Sequence, residues 1–195
     1  MTATTFIHTS DFQLGMTRWF LKGEAQGRFN DDREAAIVRL GELAEETGAE
    51  FIVVAGDVFE HNALSREILA RATEMFKRLP VPVYVLPGNH DPLVADSVFY
   101  KASADNVHVI ADSEPIEVAP GVELVGAPYL SKRANHDLVR QALEPLGPAA
   151  GIRIAVGHGQ VDSRSGEDDA DTIDLAFVED CLDRGVIDYL ALGDT

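Results

Sequence analysis

The sequence predicts a layered α/β sandwich with a mixed β-sheet. Short apolar segments typical of buried strands alternate with amphipathic segments of helical spacing along most of the 195 residues. Two further apolar segments, 114–119 and 122–126, flank Pro120-Gly121, which is typical of an antiparallel hairpin. Parallel strands joined by helices, together with one hairpin, predict a mixed sheet covered by helices.

Six more strands and five helices are predicted along the chain. The strands are 5–8, 51–55, 83–86, 107–110, 152–157 and 189–192, and the helices are 31–47, 65–78, a short one near 95–102, 136–146 and 175–184. The first helix has apolar residues three and four apart, at Ala36, Ile37, Leu40, Leu43 and Ala44. Ser65 before an apolar series indicates the start of the second helix, which Pro80 and Pro82 end.

Composition and charge exclude several classes of protein. The chain is 46% hydrophobic, enough for a real core, but no apolar run approaches the roughly 20 residues of a membrane helix. The N-terminus lacks the positive segment of a signal peptide, and the single cysteine, Cys181, cannot form an internal disulfide. These features predict a cytoplasmic protein. A net charge of −17 argues against a broad basic surface of the kind that binds phosphate backbones.

Polar side chains follow several of the predicted strands. Asp11 comes soon after the first strand, Gly56-Asp57 after the second, and Gly88-Asn89-His90-Asp91 after the third, while His158 follows the strand 152–157. Because ligands bind beyond the carboxyl ends of strands in α/β sheets, these residues predict one polar site. Carboxylate, amide and imidazole groups suit divalent metals such as Mn²⁺, Zn²⁺ or Fe²⁺, and two such ions assist phosphoryl hydrolysis.

In this order the motifs resemble the signature of the calcineurin-like metallophosphoesterases. The segments 8–15 (HTSDFQLG), 56–60 (GDVFE) and 86–91 (LPGNHD) are similar to those of the SbcD-type DNA repair exonucleases. The resemblance spans the whole chain. It implies the calcineurin-like fold, with residues 1–195 as a metallophosphoesterase domain that is truncated at its C-terminal end and lacks the capping and partner-binding regions.

The resemblance implies six metal ligands around two ions. Asp57 would bridge both metals. The others divide into a first-metal pair, Asp11 and Gln13, and a second-metal set, Asn89, His158 and Asp194.

The resemblance also implies a catalytic pair. His90 would orient the phosphate and help protonate the leaving oxygen, with Asp91 as the partner of its imidazole.

Two positions depart from the family pattern. Position 13 is Gln where the family usually has His, and position 194 is Asp where the family has the first His of Gly-His-x-His. Oxygen ligands at both positions favour Mn²⁺, or Mg²⁺, over Zn²⁺. The second His of that motif would fall beyond Thr195, so we expect weak occupancy of the first metal position. A Gln13 side chain that points into solvent is the alternative.

The implied function is Mn²⁺-dependent hydrolysis of DNA phosphodiester bonds. The implied partners are DNA, an SbcC-like coiled-coil ATPase and a second copy of the chain, with no membrane. Two alternatives stay open: a phosphoesterase acting on nucleotides or other small phosphoesters, which the negative charge favours, and a non-catalytic scaffold with a decayed metal site.

Two long loops are predicted, at 11–30 and at 159–172. In the first, Trp19 and Phe20 either stack on a nucleobase or anchor the loop over the core, and we favour the anchor. The first loop and its flank carry a mildly basic stretch that either steers phosphates or is ordinary solvated surface: Arg18, Lys22, Arg28 and Arg33. His61 is either a substrate contact or, as we favour, a surface residue.

Overall fold

The computed structural model describes residues 3–102, 104–162 and 172–194. Most of the polar loop predicted at 159–172 lies outside the described residues. Within the described part, eight strands form two four-stranded sheets. The chain order is β1 Phe6–Thr9, β2 Phe51–Val54, β3 Val83–Val85, β4 Val107–Val109, β5 Ile116–Ala119, β6 Val122–Gly126, β7 Ile152–His158 and β8 Tyr189–Gly193.

The two sheets differ in strand direction. In the first, β1, β2, β3 and β4 are neighbours in that order and all run parallel. In the second, β5 pairs antiparallel with β6 across the predicted Pro120-Gly121 turn, and β6, β7 and β8 run parallel. The sequence predicts one mixed sheet, whereas the structure has two sheets, of which only the second is mixed. The difference arises because the pattern of apolar residues does not specify which strands pair.

Helices cover the outer face of each sheet. The helices are α1 Ala25–Thr47, α2 Arg66–Phe76, α3 Leu138–Leu143 and α4 Leu175–Asp183, with a 3₁₀ turn at Val98–Tyr100. One apolar core lies between the first sheet and α1 and α2, a second between the two sheets, and a third between the second sheet and α3 and α4. The result is a four-layer α/β sandwich, which confirms the predicted class.

The largest boundary difference is at α1, which begins at Ala25 rather than near residue 31. Its N-cap, Glu24, makes no side-chain capping hydrogen bond, so the usual sequence signal for a helix start is missing. The second helix starts as predicted, because the Ser65 side chain accepts a hydrogen bond from the Ile68 N–H. None of the helices in the described ranges is long and apolar enough to cross a membrane.

Candidate metal centre

Asp11, Asp57 and His158 form a compact cluster, the first two just beyond the ends of β1 and β2 and the third at the last residue of β7. One ligand atom from each lies within 4.8 Å of the others. Asp57 and His158 are 1% and 3% exposed, so the cluster sits at the edge of the core between the two sheets. A buried carboxylate such as that of Asp57 is costly unless it binds a cation or pairs with one, which makes this cluster a candidate metal centre.

His158 is oriented as a metal-binding imidazole. Its Nδ1 lies 2.8 Å from the Ala55 carbonyl oxygen, and since a carbonyl only accepts, Nδ1 carries the proton and donates it. Nε2 is buried, lies 3.4 Å from Asp57 Oδ2, and makes no hydrogen bond to any described residue. A backbone acceptor on one ring nitrogen fixes the tautomer that leaves the other nitrogen available to a metal.

Asn89 presents a second buried atom without a partner. Its Oδ1 is inaccessible to solvent and accepts no hydrogen bond from the part of the chain that the structure describes. Leaving a buried amide oxygen unsatisfied costs about 1–3 kcal/mol, and a bound cation removes that cost. The donor set of two carboxylates, one amide oxygen and one imidazole therefore fits a divalent metal.

Backbone strain is concentrated at four of the expected ligands. Among the described residues other than glycine, a positive φ occurs at Asp11 (57°), Gln13 (44°), Asp57 (52°) and Asp194 (63°), and at no other position. This conformation costs about 1–2 kcal/mol per residue and persists only where the surroundings impose it. Such strain clusters at functional sites.

Gln13 is held beside the cluster by its backbone. Its N–H donates to the Asp57 carbonyl at 2.8 Å, and its own carbonyl accepts from the Arg33 guanidinium, which also donates to the Phe12 carbonyl. Arg33 therefore stabilises the conformation of this loop and is not an ordinary solvated residue.

Asp194 lies next to Asp11. Its N–H donates to Asp11 Oδ2 at 3.1 Å, although its carboxylate is not part of the compact cluster. Burial raises the pKa of Asp194, and the nearby carboxylates of Asp11 and Asp57 raise it further against the opposing effect of His158. The backbone of Asp194 therefore lies beside the cluster, and the role of its carboxylate as a metal ligand stays a prediction.

His90 contacts Asp57 but not Asp91. Its N–H donates to Asp57 Oδ1 at 3.0 Å, and its Nδ1 donates to the Glu60 carbonyl at 3.1 Å. The ring is partly exposed, and Nε2 lies 4.0 Å from Asp57 Oδ2. Nε2 is therefore the ring atom that can carry a proton towards a ligand in the site.

The expected pairing of Asp91 with His90 is wrong. Asp91 is fully buried, and its two oxygens accept hydrogen bonds from the Phe59 and Gly88 N–H groups, each at 2.8 Å. Burial raises its pKa to about 6, against the opposing effect of those two hydrogen bonds. Asp91 ties the loop after β2 to the loop after β3, and so positions Asp57 and Asn89 relative to each other.

Sequence reasoning missed the part played by Glu60. Its carbonyl accepts from His90, its carboxylate Oε1 lies 3.9 Å from His90 Nδ1, and Oε2 is buried without a partner among the described residues. Its adjacency to the Gly56-Asp57 motif was the available signal. By contrast, His61 is exposed and its Nδ1 accepts the Ala63 N–H within a turn.

The cluster is electrostatically coupled. Burial by itself would lower the pKa of His158, but its contacts with Asp57 outweigh burial and raise that pKa to about 9. Burial opposes ionisation of Asp57 as well, yet His158 and the His90 N–H together lower the pKa of its carboxyl group. In the metal-free protein at neutral pH, His158 is therefore protonated and Asp57 is ionised.

Metal binding is expected to release about one proton near pH 7. Because a metal needs the unprotonated Nε2, the proton that His158 holds below pH 9 must leave, and above that pH no proton remains to be released. Calorimetric titration with Mn²⁺ in buffers of different ionisation enthalpy measures the count. Proton release that does not decline as the pH rises through 9 would contradict this assignment.

Two clustered carboxylates, one of them buried, an oriented imidazole and an unpartnered amide oxygen at the strand ends of a four-layer sandwich define a metallophosphoesterase. The family model of the calcineurin-like phosphoesterases matches residues 4–195, and the chain belongs to that family. Members of this family bind divalent metals.

Three curated relatives are similar to this chain. It is 32% identical over 98 residues to the DNA double-strand break repair protein Mre11 of Archaeoglobus fulgidus, covering 49% of this chain and 21% of that protein. It is 26% identical over 203 residues to the uncharacterized metallophosphoesterase YhaO of Bacillus subtilis, covering 99% and 48%. It is 21% identical over 218 residues to the SbcD component of the nuclease SbcCD of Staphylococcus epidermidis, covering 96% and 55%.

The chain thus spans about half or less of the length of these relatives. Among solved structures, the Pseudomonas putida nuclease MPE matches with a TM-score of 0.37 and 18% identity, covering 75% of this chain and 57% of that one.

Proposed function

We propose that this chain is a two-metal phosphodiesterase that hydrolyses phosphodiester bonds of DNA. The observation that carries the proposal is the compact cluster of Asp11, Asp57 and His158, together with the buried Asn89 Oδ1 that has no hydrogen-bond partner among the described residues. Asn89 precedes His90, whose N–H donates to Asp57 Oδ1. An unsatisfied buried amide oxygen beside a cluster of acidic and imidazole groups costs free energy that a bound cation removes, which supports a metal site.

In this proposal Asp57 would contribute to both metal positions. Asp11 and Gln13 would hold the first ion, while Asn89, His158 and Asp194 would hold the second. The chemistry that bound divalent cations would supply here is activation of a water and neutralisation of charge on the phosphate. The oxygen-rich donor set supports Mn²⁺, with Mg²⁺ as the alternative.

His90 acts on the substrate rather than on the metals. The Glu60 carbonyl holds Nδ1 and the Asp57 carboxylate holds the backbone N–H, so the ring is fixed with Nε2 next to the cluster. When protonated, Nε2 can bond a phosphate oxygen and give its proton to the leaving alkoxide. The ring is 41% exposed, which leaves it accessible to a substrate.

DNA as substrate is supported by the names of two relatives, a double-strand break repair protein and a component of a nuclease. The name of the SbcCD subunit supports an SbcC-like partner, proposed to be a coiled-coil ATPase, and the partial coverage of the relatives supports residues 1–195 as one domain of a longer protein. A homodimer is a further part of the proposal. A cytoplasmic location is part of the proposal, consistent with the free, buried thiol of Cys181.

A second candidate is hydrolysis of nucleotides or other small phosphoesters. The net charge of −17 favours it, because a strongly acidic chain repels a long polyanion more than a small one. Preference for a small chromogenic diester over linear DNA would select this candidate. Absence of turnover on both substrates would select the non-catalytic scaffold.

The substitution His90→Ala is expected to lower turnover by about 100- to 10,000-fold, the usual contribution of a positioned acid–base group. Mn²⁺ binding is expected to stay close to that of the wild type, because His90 is not one of the proposed ligands. Hydrolysis of linear DNA and of a chromogenic diester in Mn²⁺ measures the first effect, and calorimetry the second.

His61→Ala is the matched control, since it removes an imidazole from the neighbouring turn without touching the cluster. We expect its turnover to equal that of the wild type. Equal losses in the two variants, or loss of Mn²⁺ binding in His90→Ala, would overturn the role assigned to His90.

A further inference from the structure

Trp19 and Phe20 are exposed on a tight turn. Trp19 is 91% exposed and Phe20 58%, and their rings meet edge to face with centroids 5.9 Å apart. They are the two central residues of a turn that the Leu21 N–H closes onto the Arg18 carbonyl at 3.0 Å. The expectation that these rings anchor the loop over the core is therefore wrong. We call residues 18–21 the aromatic turn.

The aromatic turn is held against helix α1. Gln26, in the first turn of that helix, accepts the Arg18 N–H at 2.9 Å through Oε1. Its Nε2 donates to the Met16 carbonyl and to Asn30 Oδ1. A side-chain amide thus fixes the base of the turn, so the two rings are presented to solvent by an ordered segment.

Unpaired positive charge flanks the rings. Among the described residues, no carboxylate lies within 4 Å of the Arg18 guanidinium or the Lys22 ammonium, whereas Arg28 pairs with Glu24. The chain as a whole has a net charge of −17, so two unpaired cations next to two exposed aromatic rings in the sequence make this segment unlike the rest of the chain. Cations next to aromatic rings complement a ligand that carries both phosphates and planar bases.

The aromatic turn belongs to the same loop as the candidate metal centre. Trp19 is six residues from Gln13, and six residues reach about 20 Å at most. Arg33 fixes the intervening segment through the Phe12 and Gln13 carbonyls and contacts Met16 Sδ. A nucleic acid strand that enters the metal centre can therefore reach the two rings within a few nucleotides.

We propose that Trp19 and Phe20 form a stacking platform for unpaired bases of a single-stranded nucleic acid, with Arg18 and Lys22 contacting its phosphates. This inference rests on the proposed nuclease function and identifies the form of substrate that the site receives. The chemistry favours a nucleic acid over a protein partner, because the rings stand singly on a turn beside unpaired cations rather than in a broad apolar face.

Trp19 is the single tryptophan of the chain, so its fluorescence reports on the platform directly. The test titrates the protein at low salt, with EDTA present to prevent hydrolysis, with an oligothymidylate of about twelve nucleotides. A second titration uses an abasic oligonucleotide with the same number of phosphates. We expect quenching by the oligothymidylate and little by the abasic strand.

Variants separate stacking from charge. We expect Trp19→Ala to weaken the binding of a fluorescein-labelled oligothymidylate, measured by anisotropy, by roughly tenfold or more. Tyr100→Ala is the control, since it removes another exposed aromatic ring (65%) from the 3₁₀ turn and is expected to leave that affinity unchanged. Equal quenching by both strands, or equal affinity of the two variants, would overturn the proposal.

Two outcomes distinguish this inference from the proposed function. Absence of quenching by either strand, in a protein that still hydrolyses a chromogenic diester in Mn²⁺, would overturn the platform alone and indicate a protein partner for the aromatic turn. Quenching by the oligothymidylate in a protein that hydrolyses neither DNA nor the diester would keep the platform and refute the nuclease.

Discussion

The substitution Asp57→Asn is expected to abolish detectable Mn²⁺ binding and, with it, phosphodiester hydrolysis. Asp57 lies at the centre of the cluster: Oδ1 accepts the His90 N–H, and Oδ2 is 3.4 Å from His158 Nε2. Removing a residue that only hydrogen-bonds to a metal ligand lowers metal affinity about 10- to 100-fold. Removing the charge of Asp57, a proposed ligand of both metals, is therefore expected to lower Mn²⁺ affinity more than about 100-fold. Calorimetric titration with Mn²⁺ measures it.

The fold is expected to survive this substitution. An asparagine keeps the shape of the side chain, and its amide can accept from the His90 N–H while donating to His158 Nε2. The metal-free variant is therefore expected to unfold at a urea concentration close to that of the wild type, while the stabilisation that added Mn²⁺ gives the wild type disappears.

Asp183→Asn makes the same change of charge at the exposed end of α4 and serves as the control. It is expected to bind Mn²⁺ as the wild type does. Tight Mn²⁺ binding by Asp57→Asn would place the metal elsewhere in the protein and remove the basis of the proposed function.

The cluster could be anticipated from sequence because its signals are local. An apolar run followed by a small polar motif marks a strand end, and strands that run parallel bring their ends to one edge. Asp57 and His158 belong to different sheets, yet each is the polar residue at or just beyond the end of its own strand, β2 or β7. No knowledge of strand pairing was needed to propose them together.

The partners within the site could not be anticipated in this way. Asp91 is adjacent to His90 in sequence, but its carboxylate turns inward to two backbone N–H groups, one of which comes from Phe59 in another loop. The positive φ of Asp11 and Asp57 is likewise invisible in the sequence, since neither is a glycine. Both features depend on how the loops after β1, β2 and β3 pack, which residue types alone do not specify.

The substitution Gly56→Ala is expected to disrupt both the fold and the metal centre. Gly56 has a φ of +90°, and a Cβ there would lie 2.1 Å from His158 Nδ1 and 2.4 Å from Cγ. The left-handed backbone costs about 1–2 kcal/mol for alanine, and overpacking a filled site costs a further 1–3 kcal/mol or so. We expect a fall of roughly 3 kcal/mol in the free energy of unfolding, measured by urea denaturation.

Gly48→Ala separates the two costs. Gly48 has a φ of +67° at the end of α1, and a Cβ there would meet nothing within 4 Å. It is expected to lose only the backbone contribution of about 1 kcal/mol and to keep Mn²⁺ binding. Equal destabilisation of the two variants would show that crowding against His158 contributes nothing.

The crowding at position 56 comes from the side chain of His158, so shortening that side chain is a further test. In a His158→Ala background the imidazole that a Cβ at position 56 would strike is gone. The Cβ of residue 158 remains, 2.8 Å from the position of the new Cβ, so Gly56→Ala is then expected to cost less than in the wild type but more than Gly48→Ala. The expected coupling between positions 56 and 158 is roughly 0.5–2 kcal/mol. Additive effects would mean that the imidazole of His158 adds nothing to the cost of a side chain at position 56. Strong coupling would mean that its missing side chain makes the space in which His158 is held for a metal.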